Sequence, residues 1–297
     1  MITASLLRLV VIFVVRCYFN DWPSGCPSFG WAVSLGTPQT APHARRIEGL
    51  FLISHPTAEE TIMNLPLNSL LDRNDATENA RYNMVQQQVR PWNVDDDGVL
   101  NALYTVRRED FLPPAHYSLA FMDVEVPLTD DSNAIAQGQS MFQPRVEARM
   151  INDLEVQPSD RVLEIGSGSG YSAALLSKLA QEVLTLEINP ELADMARENL
   201  TDAGCANVSV RVADGAKDVL LEGPFDVILL SGSVEVLPEE LLSHLKDGGR
   251  MGVIVGQSPV MRYTVVSKNN GQISSKEKWD IVAPRLQSFA TVSRFAF

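Results

Sequence analysis

Cysteine is scarce, three in 297 residues, which is too few for a disulfide framework and suits a reducing, cytoplasmic compartment. The four histidines, His43, His55, His116 and His244, fall at no metal-ligand spacing, so no metal is expected. Basic charge is also short: 24 Lys+Arg stand against 37 Asp+Glu, for a net charge of −13. No local basic stripe offsets that balance, so a nucleic-acid backbone is not an expected partner. Long hydrophobic runs are missing as well. Residues 6–15 are apolar apart from Arg8, but a bilayer needs roughly 20 such residues, so no membrane span is expected. The same run lacks the strong basic flank and the prompt small-residue cleavage site of a secretory signal. What remains is 45% hydrophobic and 21% charged, enough for one large core or two modest ones.

Residues 1–62 balance four arginines against four acids, so the whole negative excess lies beyond Ile62. Residues 20–55 are rich in Pro, Gly and Ser and show no sustained period. The expectation is a disordered extension or a misassigned start over 1–62, a helical N-terminal part over 63–157 and a cofactor-binding core over 158–297. In the helical part, Thr77 is placed to cap a helix running through Met84 and Gln88, which Arg90-Pro91 then stops. A second helix is expected over 95–106 and a third from Gln143-Pro144, with Val146, Met150 and Leu154 as its buried stripe. Between them, 111–128 is broken by Pro113, Pro114 and Pro127 and reads as an irregular wrap.

Beyond Pro158, short apolar strands alternate with helices, the grammar of a doubly wound α/β sheet. Strands are predicted at 162–165, 183–186, 208–212, 227–230, 251–255, 263–267 and 291–295, and helices at 171–180, 190–203 and 238–245. The last two strands have no helix between them, which predicts an antiparallel C-terminal edge on a mostly parallel, Rossmann-like sheet.

The sharpest local signal is VLEIGSGSGY, residues 162–171: a strand, a glycine-rich turn and a helix start. Its glycines, Gly166, Gly168 and Gly170, follow G-x-G-x-G spacing, with Tyr171 where a dinucleotide fingerprint requires its last glycine. Glu164 precedes the turn on the strand, a poor host for pyrophosphate and a good one for a cation. That points to S-adenosylmethionine, whose sulfonium and ammonium groups are positive. In open α/β sheets ligands bind beyond the carboxyl ends of the strands. Glu187 ends the next strand and is placed to take the ribose hydroxyls. Asp214 follows the third and is placed to accept from the adenine amino group, with Gly215 leaving room for the ring.

The chain resembles the protein-L-isoaspartate O-methyltransferase family over roughly 77–297. Besides the glycine turn, the resemblance includes NMVQQQVRPW, VRREDFLPP, GQSMFQPRVEARM and FDVILLSGSVEVLPEELLSHLKDGGRMGVIVG, in that order. It implies a methyltransferase in which Glu164, the three glycines, Glu187 and Asp214 form the cofactor pocket. It also implies that Ser231, Gly232 and Ser233 line the substrate mouth. Within GQSMFQP the family usually presents its active-site serine where this chain has Phe142, and Ser140 is the nearest remaining hydroxyl. Phe142 is open to two readings, plain core packing or an apolar wall of the acceptor pocket.

The expected activity is methyl transfer to the carboxylate of isoaspartyl residues in damaged protein or peptide substrates, a repair function. Two alternatives stay open: a related methyltransferase with another acceptor, and a non-catalytic S-adenosylmethionine-binding protein. A nicotinamide oxidoreductase is disfavoured by the glycine spacing. Among other polar groups, Arg107 and Arg108 are expected to pair with Glu109 and Asp110 in a solvated loop. Cys205 is expected to be a small buried or semi-buried residue beside Gly204.

Overall fold

The structure, a computed structural model, describes residues 75–218 and 223–292. The expected extension over 1–62, with Cys17 and Cys26, and the segment 63–74 lie outside the described residues.

The N-terminal part opens with helix α1 (Ala76–Asn83), whose cap is Asp75 rather than Thr77: the Asp75 carboxylate accepts from the backbone N–H of Thr77 and Glu78. Arg90-Pro91 does not end the helical path. The chain continues as a π-helical segment (Met84–Val89) and a short 3₁₀ turn (Arg90–Trp92), and stops at Asn93, which takes the left-handed conformation. Helix α2 (Asp97–Thr105) is capped by Asp96 and buries Val99, Leu100 and Leu103. The proline-broken stretch forms two 3₁₀ segments, Arg108–Phe111 and Pro114–Leu119. A two-stranded ribbon follows, β1 (Val126–Pro127) pairing antiparallel with β2 (Ser140–Met141) around the short helix α3 (Ser132–Ala136). Helix α4 (Pro144–Asn152) starts with proline in its first turn, where the missing N–H removes no helix bond.

The main sheet has seven strands in the order β5-β4-β3-β6-β7-β8-β9. Strands β3 (Arg161–Ile165), β4 (Glu182–Glu187), β5 (Val208–Val212), β6 (Phe225–Val234) and β7 (Leu245–Gln257) are mutually parallel. Strands β8 (Val260–Asn269) and β9 (Gln272–Asp280) complete an antiparallel edge. The expected antiparallel finish is therefore present, but its last strand is β9. Residues 291 and 292 are not in a strand, and 293–297 lie outside the described residues. Helices α5 (Tyr171–Ser177) and α6 (Pro190–Asp202) connect the first parallel strands, whereas α7 (Glu239–Leu242) is shorter than the predicted 238–245 because β7 already begins at Leu245.

Alternation along the strands separates two core layers. Val162, Val183 and Val227 face the layer that contains the N-terminal helices, and Leu163, Leu184 and Ile228 face the opposite one. Glu164, Thr185, Glu187 and Ser231 keep step with the valines, so they share the face toward the N-terminal helices. Tyr263 on β8 ties that layer together: its hydroxyl donates to the Met150 carbonyl at 2.8 Å, one of the carbonyls left without an intrahelical partner at the end of α4. Gly252 gives the ring its place, since a Cβ there would lie 2.1 Å from the Tyr263 hydroxyl. Tyr263→Phe strands a buried carbonyl. We expect it to cost about 1–3 kcal/mol, read in urea as a lower midpoint with an unchanged slope.

Candidate functional site

Strands β3, β4 and β5 end level with one another, and the turns that leave them share one cleft with Ser231 of β6, a strand that runs on to Val234. The turn after β3 is possible because Gly166, Gly168 and Gly170 sit at φ +97°, +52° and +87°, a region that side chains rarely enter. Gly166 and Gly168 lie on the cleft wall, as do Glu187, Asp214, Gly215 and Ser231. Ser140 and Phe142 approach from the opposite side, off β2. Eight of the residues singled out in the sequence thus share one cavity.

Glu187 is 6% exposed and held by backbone: Oε2 accepts from Gly168 N and Oε1 from Asn189 N, each at 3.0 Å. A carboxylate oxygen has two acceptor positions, so both oxygens keep a lone pair for a ligand. Next to it, Ile188 stays 37% exposed on the cleft wall and offers an apolar face. Asp214 accepts from Ala216 N at 3.0 Å and from Lys217 Nζ at 2.7 Å. Partial burial works to raise its carboxyl, but the bonds from Lys217 and Ala216 prevail and hold it below the usual range. This donor set suits an adenosine: fixed acids for hydroxyl and amino groups, and an apolar wall for a ring.

Four expected site residues, Glu164, Gly170, Gly232 and Ser233, do not line the cleft. Glu164 is fully buried; Thr185 donates to its Oε2 and Ser231 to its Oε1, both at 2.7 Å, so it meets the cavity only through these hydroxyls. Gly170 packs beneath the turn, where a Cβ would lie 3.2 Å from Leu200 and 3.3 Å from the Ala196 Cα. Ser233 is 1% exposed, and its hydroxyl donates to the carbonyls of Ala283 and Pro284 instead of lining a mouth. Gly215 lies on the wall, but the space its missing side chain leaves is taken by Ile165, whose Cγ2 would be 2.3 Å from a Cβ there. Gly232 is likewise occupied, with Leu286 atoms 2.7 and 2.8 Å from its Cβ position.

Leu286 belongs to a strap that the sequence reading missed. After β9 the chain returns beside β6, where Ser233 N donates to Pro284 O at 2.7 Å and Leu286 N to Ser233 O at 2.9 Å. Arg285 ties it to Glu235 at 2.8 Å, and Leu286 and Phe289 complete the cleft wall. A parallel bridge of so few residues has no periodic signature.

The expected solvated cluster at 107–110 is corrected. Arg107 does pair with Glu109 and Asp110, each at 3.3 Å. Arg108 is fully buried and reaches elsewhere, to Glu147 Oε2 at 2.5 Å and to the Phe142 carbonyl. Glu147, also missed, stands on the cleft wall and takes a bond from Ser172 Oγ at 2.9 Å. Burial raises its carboxyl, and Arg108 opposes that shift. Phe142 is 7% exposed within the core and also lines the cleft.

A family model described as Protein-L-isoaspartate(D-aspartate) O-methyltransferase (PCMT) matches residues 79–283. The chain belongs to this family. Among protein-L-isoaspartate O-methyltransferases, that of Koribacter versatilis is 38% identical over 193 residues, covering 65% of this chain and 84% of the relative. That of Gloeobacter violaceus is 37% identical over 199 residues, covering 67% and 94%. A solved protein-L-isoaspartate O-methyltransferase superposes with a TM-score of 0.60 at 25% identity, over 70% of this chain and 65% of that one. A Plasmodium falciparum chain described as a beta-aspartate methyltransferase in complex with S-adenosyl-L-homocysteine gives 0.60 at 20% identity, over 72% and 99%, and shows the shared fold. Among the described residues no helix is long and apolar enough to cross a membrane, and no cluster of His, Cys, Asp and Glu could hold a metal.

In this member of the isoaspartyl methyltransferase family, burial pushes the Glu164 carboxyl up to about 8, only partly countered by its two hydroxyl partners. At acidic pH the group is protonated in folded and unfolded chains alike. Between the ordinary glutamate range near 4.3 and about 8, the folded chain keeps a proton that the unfolded chain has lost. This contribution to stability is therefore complete in acid, declines by about 1.4 kcal/mol per pH unit across that window, and is gone above it. Glu164→Gln removes the decline. Thermal melts of the ligand-free protein at pH 5 and pH 8 are expected to show a smaller difference for the variant than for the wild type.

Proposed function

We propose that the chain is an S-adenosylmethionine-dependent methyltransferase that esterifies the carboxylate of isoaspartyl residues in damaged proteins. The observation that carries this reading is one cleft with Glu187, Asp214 and the glycine turn on one side and the Ser140–Phe142 segment on the other. S-adenosylmethionine supplies an electrophilic methyl group on a sulfonium. The chain contributes position and field. Glu187 offers its remaining lone pairs to the ribose hydroxyls, Asp214 accepts from the adenine amino group, and Ile188 gives the ring an apolar face. Glu164, out of contact with ligand, orients the Ser231 hydroxyl at the cleft wall.

A carboxylate acceptor is already ionised near neutral pH, so no general base is needed, and alignment supplies most of the acceleration. Phe142 and the strap residues Leu286 and Phe289 give the cleft apolar surface that excludes water around the reacting groups. We propose a cytoplasmic location, supported by the low cysteine content and by Cys205 as a free, buried thiol. A second reading, favoured by the absence of a side-chain hydroxyl at Phe142, keeps the same donor site and takes another acceptor.

One measurement separates these readings, and a second tests the donor site they share. With labelled S-adenosylmethionine and an isoaspartyl peptide, a base-labile methyl ester is expected; donor binding with no ester formed would overturn the isoaspartyl assignment. Glu187→Ala is expected to weaken S-adenosylhomocysteine binding by about tenfold or more in calorimetry, the scale of losing charge-assisted hydrogen bonds.

A further inference from the structure

Arg108 is the one guanidinium among the described residues that is fully buried against the cleft wall, and it touches parts of the chain far apart in sequence. It sits in the 3₁₀ segment Arg108–Phe111, which the cleft does not include. From there Nη1 donates to Glu147 Oε2 on α4, and Nη2 donates to the Phe142 carbonyl, both at 2.5 Å. Its plane lies over the Tyr171 ring at 4.9 Å, at the first residue of α5. The other oxygen of Glu147 accepts from Ser172, the next residue of that helix. One ion pair therefore links the Ser140–Phe142 side of the cleft to the helix that emerges from the glycine turn. Both partners are buried, so neither is screened by solvent, and the guanidinium fork fixes direction as well as distance.

The Phe142 side chain offers no hydrogen bond of its own, so its segment is fixed by backbone. Ser140 and Met141 are held by the short β1–β2 ribbon, and the bond from Arg108 fixes the segment where it leaves that ribbon. We propose that Arg108, paired with Glu147, is a positioning residue that sets the acceptor-side wall of the cleft against the donor side. The inference deepens the methyl-transfer reading and rests on it for its kinetic consequence. An error of about 1 Å in such an alignment can lower turnover by two orders of magnitude.

The test uses the double substitution Arg108→Met and Glu147→Met, because replacing both partners of a buried pair by apolar groups of similar volume leaves no uncompensated buried charge. Expected results are a cooperative unfolding transition, its midpoint lowered only by the unpaired Phe142 carbonyl and Ser172 hydroxyl, and S-adenosylhomocysteine affinity within about threefold. Amide exchange over residues 139–143 should be about tenfold faster or more, and kcat for an isoaspartyl peptide about tenfold lower or more. Arg108→Lys provides an independent arm: the ammonium still neutralises Glu147 but lacks the fork that reaches the Phe142 carbonyl, so exchange and kcat should change in the same direction with the fold intact. Wild-type exchange over 139–143 in either folded variant overturns the proposal, as does faster exchange with undiminished kcat, or a loss of turnover matched by a loss of donor affinity. A wild-type protein that methylates no isoaspartyl peptide refutes the acceptor reading instead, and the exchange arm still decides whether Arg108 holds the wall.

Discussion

Glu164 accepts hydrogen bonds from hydroxyls on both neighbouring strands, Thr185 of β4 and Ser231 of β6, with no exposure to solvent. A carboxyl group removed from water is costly unless its acceptor positions are filled. Here they are filled only if β3, β4 and β6 keep their observed register, with Glu164 opposite Thr185 and Leu229. Thr185 also shares a 2.6 Å hydrogen bond with Ser167 in the glycine turn. The same group that aligns three strands thus holds the turn above them. Because Glu187 lies two residues beyond Thr185, it emerges on the same face, within 3.0 Å of the Gly168 amide.

Across the cleft from the glycine turn, a buried ion pair works differently. Arg108 and Glu147 neutralise one another and spread their remaining bonds over Phe142, Ser172 and the Tyr171 ring. The two arrangements divide the labour of the cleft. The Glu164 network spans adjacent strands through short polar side chains, whereas the Arg108 pair spans the gap between irregular backbone and helices. Such a gap needs a long side chain with several donors.

The strap over residues 283–289 closes the remaining side. It is accommodated by two glycines, Gly232 and Gly166, whose Cβ positions Leu286 approaches to 2.7 and 3.1 Å. These glycines act on the wall of the site through what packs against them. The same holds at Gly215, whose empty side is filled by Ile165.

Periodic and strongly local features were legible in the amino-acid order. The parallel strands, the glycine turn, the proline-led α4 and α6 and the order of acidic strand ends all depend on residues close together in the chain, where alternation and backbone preference operate. The position of Glu187 on the cleft follows from such rules. The burial of Glu164 and Arg108, the turning of Ser233 toward the strap and the last strand at β9 rather than at 291–295 do not. Each depends on a partner 20 to 70 residues distant, or on which of two faces a segment finds free. The sequence by itself determined the sheet, the glycine turn and the acids at its edge. Tertiary structure alone decided which of those acids face the cleft and which are held behind its wall, because desolvation and hydrogen bonding depend on what long-range packing places beside each group.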